Sequence, residues 1–407
     1  MARLHPFRPQ RPRPDAVQEV ASVPYDVICT EQARSLAADS PRSFLHVVRP
    51  EVDLPPDTGE DQEAVYEKGA ENLRAFIEAE YTVRDETPGL YVYRLEDNDG
   101  HVQTGLFGCV SVEDYDEGTI VRHERTRPAK VRDRRRHILA QRAHPEPIML
   151  TYRDREAVQA YMHAVQERAP VYDFTTRDGV RHVLWRGPDP SPVVDAFATI
   201  DHLYIADGHH RCKASSQAAA TLRDASEPTE ATAEYEFFPA ILFPMSAMRI
   251  MAYHRLVRTL PVAPAEFVRR LESRLNVERN VTTPTPPVKG MVSFFLDGVW
   301  HRATLPPTAG TSVSEALDVA RLSEHVLEPL LDITDARRDP NLSFVGGPDG
   351  VGELERRVES GEAQLGIALY PTRIEELVAV ADAGELMPPK STWFAPKPAS
   401  GLLVHLF

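Results

Sequence analysis

The residues best equipped for chemistry form one short run, Asp207-Gly208-His209-His210-Arg211, directly after the apolar stretch His202-Leu203-Tyr204-Ile205-Ala206. A glycine lets backbone approach a ligand closely, imidazoles donate or accept protons near neutral pH, and a guanidinium forks onto phosphate. Asp207 can take a proton or bind a metal. An Ala/Ser-rich stretch follows, so the pattern reads as strand, glycine turn and helix, with the first helical N–H groups adding an anion site. A polar turn in which Asp207 merely caps the helix uses the same residues.

The second run is Arg122 to His137, containing His123-Glu124-Arg125-Thr126 and Lys130-Val131-Arg132-Asp133-Arg134-Arg135-Arg136-His137. Eight Lys/Arg between 122 and 136 stand against Glu124 and Asp133, a local +6 within a chain of net charge −15. That reversal suits an anionic ligand, although most charge runs are solvated helix faces. His123-Glu124 begins like a zinc-binding HExxH helix, but position 127 is Arg, so that reading fails. A third group, Lys390-Ser391-Thr392 with Lys397, sits among prolines beside Trp393. It lacks the glycines of a Walker A loop. What remains is a rigid basic loop for phosphate or carboxylate, or a purely structural closing loop. GxGxxG, GxSxG and the kinase motif set are all missing from the sequence.

The elements that must position these groups are partly visible. Apolar spacing predicts an amphipathic helix over residues 61–80, with Ala64, Val65, Leu73, Phe76 and Ile77 on one side. Strands over 90–95 and 102–112 joined by Glu96-Asp97-Asn98-Asp99-Gly100 predict a hairpin. Further strands are expected at 148–152, 180–185 and 239–245, and helices at 156–168 and 265–275. Val20 to Ile28 reads as a strand end entering a loop, and Pro261-Val262-Ala263-Pro264 as a linker. The apolar run Leu402 to Phe407 is expected to pack as a strand returning to the N-terminal region.

Composition bounds the class. Of 407 residues 42% are hydrophobic and 26% charged, which is globular. At roughly 150 residues per domain the length suggests two to three domains. The net −15 weighs against nucleic acid and anionic membrane as partners. Thirty-five prolines, well above the ordinary ~5%, are spread along the chain as turns and strand ends. Cys29, Cys109 and Cys212 are far apart, which fits a reducing cytoplasm. With no apolar run of ~18–20 residues the chain reads as soluble.

Five segments together resemble one family: Ala21-Ser22-Val23-Pro24-Tyr25-Asp26-Val27-Ile28, His123-Glu124-x-Thr126 with Lys130 and Asp133-Arg134, Ala206 to Arg211, Tyr253-His254-Arg255, and Met387-Pro388-Pro389-Lys390-Ser391-Thr392. It is the large bacterial and archaeal family catalogued as a domain of unknown function and labelled SerK-like. The box at 206–211 is similar to that of free-serine kinases in the ParB/sulfiredoxin superfamily. The resemblance implies a mixed α+β fold. A ParB/sulfiredoxin-like nucleotide-binding core with insertions would occupy residues 1–260. An α+β accessory domain at 261–386 and a basic loop and final strand at 387–407 would follow.

It further implies phosphoryl transfer from ATP or ADP to a small hydroxylated metabolite, free L-serine first among them, giving O-phosphoserine. Glu124, Asp207, His209 and His210 would be catalytic, and Asp207 would hold Mg²⁺. Gly208, His209, His210, Arg211, Lys130, Arg132 and Arg134 would bind the nucleotide. Ser22, Tyr25, Asp26, His123, Thr126, Lys390, Ser391 and Thr392 would bind the acceptor. The chain departs from the family at Arg211-Cys212-Lys213, where the pattern is Arg-Tyr-Glu, which bears on the acceptor. Cys212 does not precede the His-Arg pair as the sulfiredoxin cysteine does. The competing readings are a ParB-like nucleotide-binding switch and a metal-dependent phosphoesterase using Asp207, His209 and His210.

Overall fold

Apolar runs buried on both faces, Ile148–Tyr152 and Phe237–Pro244 among them, lie inside the larger sheet, because such strands are stable only when covered on either side. The computed structural model describes residues 1–225, 233–308, 310 and 312–407. They form two units, one of residues 1–248 with 396–407 and one of residues 249–395.

The first unit contains a nine-stranded sheet. Its strands are β1 (Leu4–His5), β2 (Tyr91–Glu96), β3 (Val102–Ser111), β4 (Ile120–Val121), β5 (Ile148–Tyr152), β6 (Tyr172–Thr175), β7 (Arg181–Arg186), β8 (Leu203–Asp207) and β9 (Phe237–Pro244). The spatial order is β4-β8-β5-β9-β3-β2-β7-β6, with β1 also beside β3. The pairs β8/β4 and β9/β5 are parallel and the others antiparallel. The expected hairpin is present with Glu96 opposite Val102. Its turn is held by the Asp97 carboxylate, which accepts N–H bonds from Asp99 and His101 at 3.0 Å each, with Gly100 at φ 78°.

Four helices matter for the site: α1 (Glu63–Glu78), α2 (Pro128–Gln141), α3 (Glu156–Gln166) and α4 (His209–Ala225). In α1 the spacing of Val65, Gly69, Leu73 and Phe76 buries one stripe. Leu73 and Phe76 pack with Phe44, Leu45, Val48 and Val404. Helix α2 packs Val131 and Ile138 against Ala214 and Ala218 of α4. Alanines at that seam allow close approach, which brings the basic helix against the helix that follows Gly208. The main core joins Leu150, Leu203, Ile205 and Leu242 of the sheet to Val158 and Met162 of α3.

The second unit has an antiparallel sheet of β10 (Tyr253–Val257), β11 (Asn276–Glu278), β12 (Met291–Leu296), β13 (Val299–Thr304), β14 (Leu342–Gly346) and β15 (Leu365–Leu369), in the order β11-β13-β12-β15-β10-β14. Its core includes Phe267, Leu271, Phe294, Leu322 and Ile367. Arg255 is 1% exposed. Its guanidinium donates to the carbonyls of Tyr253 (2.7 Å), His254 (3.3 Å), Pro389 (3.4 Å) and Lys390 (3.0 Å). Burial pushes its pKa down to about 9.

Two local expectations are corrected. Val20 to Ile28 is not a strand end: a short helix, Val17–Val20, closes there. Ser22 makes a single bridge to Ser400, and a turn follows. Pro24 removes one donor from this stretch, so a ladder cannot continue. Pro261 to Pro264 is not a linker between units; it lies within the second, where Pro264 opens the helix Pro264–Glu272 in the position that tolerates proline.

The final residues close the first unit. Val404 exchanges backbone bonds with Gln10, His405–Leu406 pairs with Ala143–His144, and Leu402, Leu403 and Val404 are at most 1% exposed. Deleting residues 396–407 is therefore expected to lower the thermal midpoint of the first unit by ~10 °C or to leave it insoluble, since several buried apolar side chains at ~1.5–3 kcal/mol each are lost. A melt of the truncated chain unchanged within ~2 °C would contradict this.

Candidate functional site

Strand β8 ends at Asp207 with a register shift against β5 between Ile205 and Asp207. Gly208 then turns the chain at φ 105°. A Cβ on it would lie 2.7 Å from Ile148 Cγ2, so both the backbone angle and the space call for glycine. The Gly208 carbonyl accepts from Cys212 N at 2.9 Å, starting the 17-residue helix α4.

Around this turn the segments carrying Tyr25, Arg134, Glu146 and Lys397 converge. Asp207 Oδ2 accepts from Arg211 Nη2 at 2.9 Å and lies 3.5 Å from Lys397 Nζ, which is 3.8 Å from Asp26 Oδ1. Arg211 Nη1 donates to the carbonyl of Pro147. The buried Glu146 accepts from Ser400 Oγ at 2.7 Å and from Tyr25 N at 3.5 Å. The guanidinium carbons of Arg134 and Arg211 lie 4.4 and 5.9 Å from the Tyr25 ring centre. Arg49 fixes the segment around Tyr25 by donating to the carbonyls of Tyr25 (2.9 Å) and Ile28 (3.1 Å). A cavity of about 30 Å³, large enough for a water molecule, is lined by Arg134, His137, His144, Glu146, Arg211 and Ser215 among others.

Charge in this cluster is balanced, with Asp26, Glu146 and Asp207 facing Arg134, Arg211 and Lys397. Burial would raise the Asp207 pKa, but Lys397, Arg211 and His209 outweigh it and hold it at about 2. Burial likewise opposes the charge of Lys397, yet Asp207 and Asp26 raise its pKa. For Glu146 burial wins over Arg211 and Ser400, and the pKa is raised.

A second group lies on the other side of the helix start. His209 is 5% exposed; its Nε2 accepts from His123 N at 3.4 Å, and its Nδ1 is 3.9 Å from Glu124 Oε2. The rings of His123 and His209 meet edge to face at 4.4 Å. His210 Nε2 accepts from Arg127 N at 2.9 Å. The Glu124 carboxylate is 42% exposed. Burial pushes the pKa of His123 down to about 4 and that of His209 well below the usual value.

The structure thus gathers Tyr25, Asp26, Arg134, Asp207, Gly208 and Arg211, and beside them His123, Glu124, His209 and His210. Lys130 and Arg132 are exposed on α2 and form no ion pair among the described residues. Thr126 is half-buried. Ser22 is buried, and its Oγ has no hydrogen-bond partner among the described residues. Lys390, Ser391 and Thr392 belong to the second unit. There Ser391 Oγ donates to Pro388 O at 2.6 Å and the exposed Lys390 sits at φ 59°.

Glu146, Ser400 and Arg49 were not singled out by motif, and Lys397 only as a neighbour of the basic loop. Glu146 carries one signal, its place between Pro145 and Pro147. Among the described residues no group of three or more His, Cys, Asp or Glu is placed to hold a metal ion, and no helix is long and apolar enough to cross a membrane.

The family described as "protein of unknown function (DUF1015)" matches residues 4–320. No curated protein gives a sequence match. Solved structures similar to the chain include a free serine kinase in complex with AMP. It is 12% identical with a TM-score of 0.36, over 71% of this chain and 87% of that one. SbnI from Staphylococcus aureus, with its C-terminus truncated, is 14% identical at 0.38, over 74% and 87%. A conserved hypothetical protein from Pyrococcus furiosus is 13% identical at 0.35, over 71% and 90%.

The Asp207 pairing has a pH signature. Its folded pKa of about 2 lies below the usual 3.8, so its stabilisation is fully present above pH ~4 and is lost as pH falls toward ~2. Asp207→Asn should cost about 2 kcal/mol at pH 7, leaving two cations under-paired, and the gap from wild type should narrow below pH ~4. Urea denaturation at pH 7 and pH 3 measures both; a gap that is the same at the two pH values contradicts the pairing.

Proposed function

The chain belongs to the DUF1015 family, and from the geometry of its first unit we propose that it is a small-molecule kinase. It would move a phosphoryl group from ATP or ADP to a small hydroxylated metabolite, with free L-serine as the leading acceptor. The observation that carries this reading is the strand–Gly208–helix turn, set beside a helix whose Lys130 and Arg132 are exposed in a chain of net charge −15. Phosphate binding is supported at the start of α4, where the first backbone N–H groups lack intrahelical acceptors and the helix dipole favours negative charge. Lys130 and Arg132 supply neutralising charge. Arg211, tied to Asp207 and Pro147, contributes its field and holds the turn. The choice of L-serine rests on the motif resemblance at 206–211.

The reaction also requires a base for the acceptor hydroxyl. Asp207, with a pKa near 2, is a weak base at neutral pH. Glu124 is the better candidate, being partly exposed beside the turn. In the proposed step the serine Oγ forms a bond to the terminal phosphorus while the bond from phosphorus to the bridging oxygen breaks. The hydroxyl proton passes to Glu124, and the nucleotide leaves one phosphate shorter. Asp207 is held by Arg211 and Lys397, and Lys397 also faces Asp26, so Mg²⁺ would arrive with the nucleotide and supply further neutralisation of phosphate charge. Tyr25, Asp26 and Thr126 would line the approach proposed for the acceptor, whereas His123 is buried.

The test is calorimetry with ATP and ADP in the presence of Mg²⁺, followed by ³¹P NMR of mixtures with L-serine. Phosphoserine is expected with one of the nucleotides. Glu124→Gln should cut turnover by ~10²-fold or more while changing nucleotide Kd less than about threefold, and Lys130→Ala with Arg132→Ala should weaken nucleotide by about tenfold. No binding of either nucleotide at millimolar concentration, or no product across related hydroxylated acceptors, would overturn the proposal.

A further inference from the structure

The two adjacent histidines at the start of α4 present the same ring atom to the same kind of partner. His209 Nε2 accepts the backbone N–H of His123 at 3.4 Å, and His210 Nε2 accepts that of Arg127 at 2.9 Å. Residues 122–127 are neither helix nor strand, so their backbone donors must find partners outside a ladder. Successive residues in a helix diverge by about 100°, which lets two neighbouring imidazoles reach two points four residues apart on a passing segment.

We propose that His209 and His210 are positioning residues: they form a clamp that fixes the segment 123–127 over the start of α4, and they act neither as proton carriers nor as metal ligands. A neutral imidazole has a single acceptor nitrogen, and in each ring it is the one that meets the backbone. Both rings therefore carry their proton on Nδ1. Protonating Nε2 would set two N–H groups against each other, and at His209 this would happen in a buried place, the costly case of an unmet donor. A metal would need the same lone pair. For His209 the tautomer has a second effect, because Nδ1–H is then the atom directed toward Glu124, 3.9 Å away.

The clamped segment carries the exposed Arg125 and Arg127 as well as Glu124, and Arg122 directly precedes it. The clamp thus sets how a cation-rich strip and the proposed base meet the phosphate-type turn. In that respect it deepens the kinase reading and rests on it; the bonds themselves do not.

The experiment uses the full chain and four variants, His209→Ala, His209→Gln, His210→Ala and His210→Gln. A glutamine carbonyl reaches the position of Nε2 and can accept the same N–H. Ring ¹⁵N spectra of the wild type should show an unprotonated Nε2 and a protonated Nδ1 for both histidines at neutral pH. Hydrogen exchange of the Arg127 amide should speed up by about tenfold in His210→Ala, the loss expected from one hydrogen bond. In His210→Gln it should stay within about threefold of wild type, and the His123 amide should respond in the same way to the His209 pair. An Nε2–H tautomer or an imidazolium in either ring overturns the clamp, as does unchanged exchange in both alanine variants. Should the alanine variants fail to fold, the wild-type ring spectra still decide. Neither readout involves nucleotide, so absent ATP or ADP binding would sink the kinase reading and leave the clamp standing, whereas the wrong tautomer would sink the clamp alone.

Discussion

An ionised carboxylate at the end of a buried strand persists only if cations are brought to it, because desolvation otherwise drives it to neutrality. Asp207 is in that position, and the cations that reach it are Arg211, one helical turn on at 2.9 Å, and Lys397, 190 residues later at 3.5 Å. Lys397 arrives only because the last twelve residues return to the first unit. The same return brings Ser400 to Glu146, and Glu146 in turn receives the backbone N–H of Tyr25. The pairing of one aspartate thus draws together the beginning, middle and end of the chain.

This arrangement divides the basic run at 122–136 into two parts. Arg134 pairs with Asp133 at 2.8 Å and covers Tyr25, Arg135 donates to Thr221 at 2.7 Å, and Arg136 pairs with Glu63. These arginines tie α2 to its surroundings. Lys130 and Arg132 stay exposed on the same helix. A count of charge along the sequence therefore overstates what is available to a ligand, because burial and pairing consume part of it.

Where local pattern governs structure, the sequence was legible. The hairpin at 91–111 follows from an Asp/Asn/Gly turn between apolar runs, and α1 from one apolar stripe. The strand, glycine and helix at 203–225 follow because Gly208 needs both a positive φ and an empty Cβ position. Pattern misled at Val20 to Ile28 and at Pro261 to Pro264, where short apolar or proline-rich stretches carry no period and packing decides. In the site, motif pointed to Asp207, Gly208, Arg211, Tyr25 and Asp26. It passed over Glu146 and Arg49, whose bonds run to backbone or to residues far away in sequence.

By itself the sequence determined the mixed α+β class, the family, and the local turn that can face an anion, since each depends on residues close together in the chain. Only the tertiary structure decided which charges are spent on one another and which face outward. It also decided that the two histidines face backbone donors, and that the chain's end completes the site. Those outcomes depend on distances between segments separated by tens to hundreds of residues and on the loss of water between them, and neither quantity is carried by local pattern.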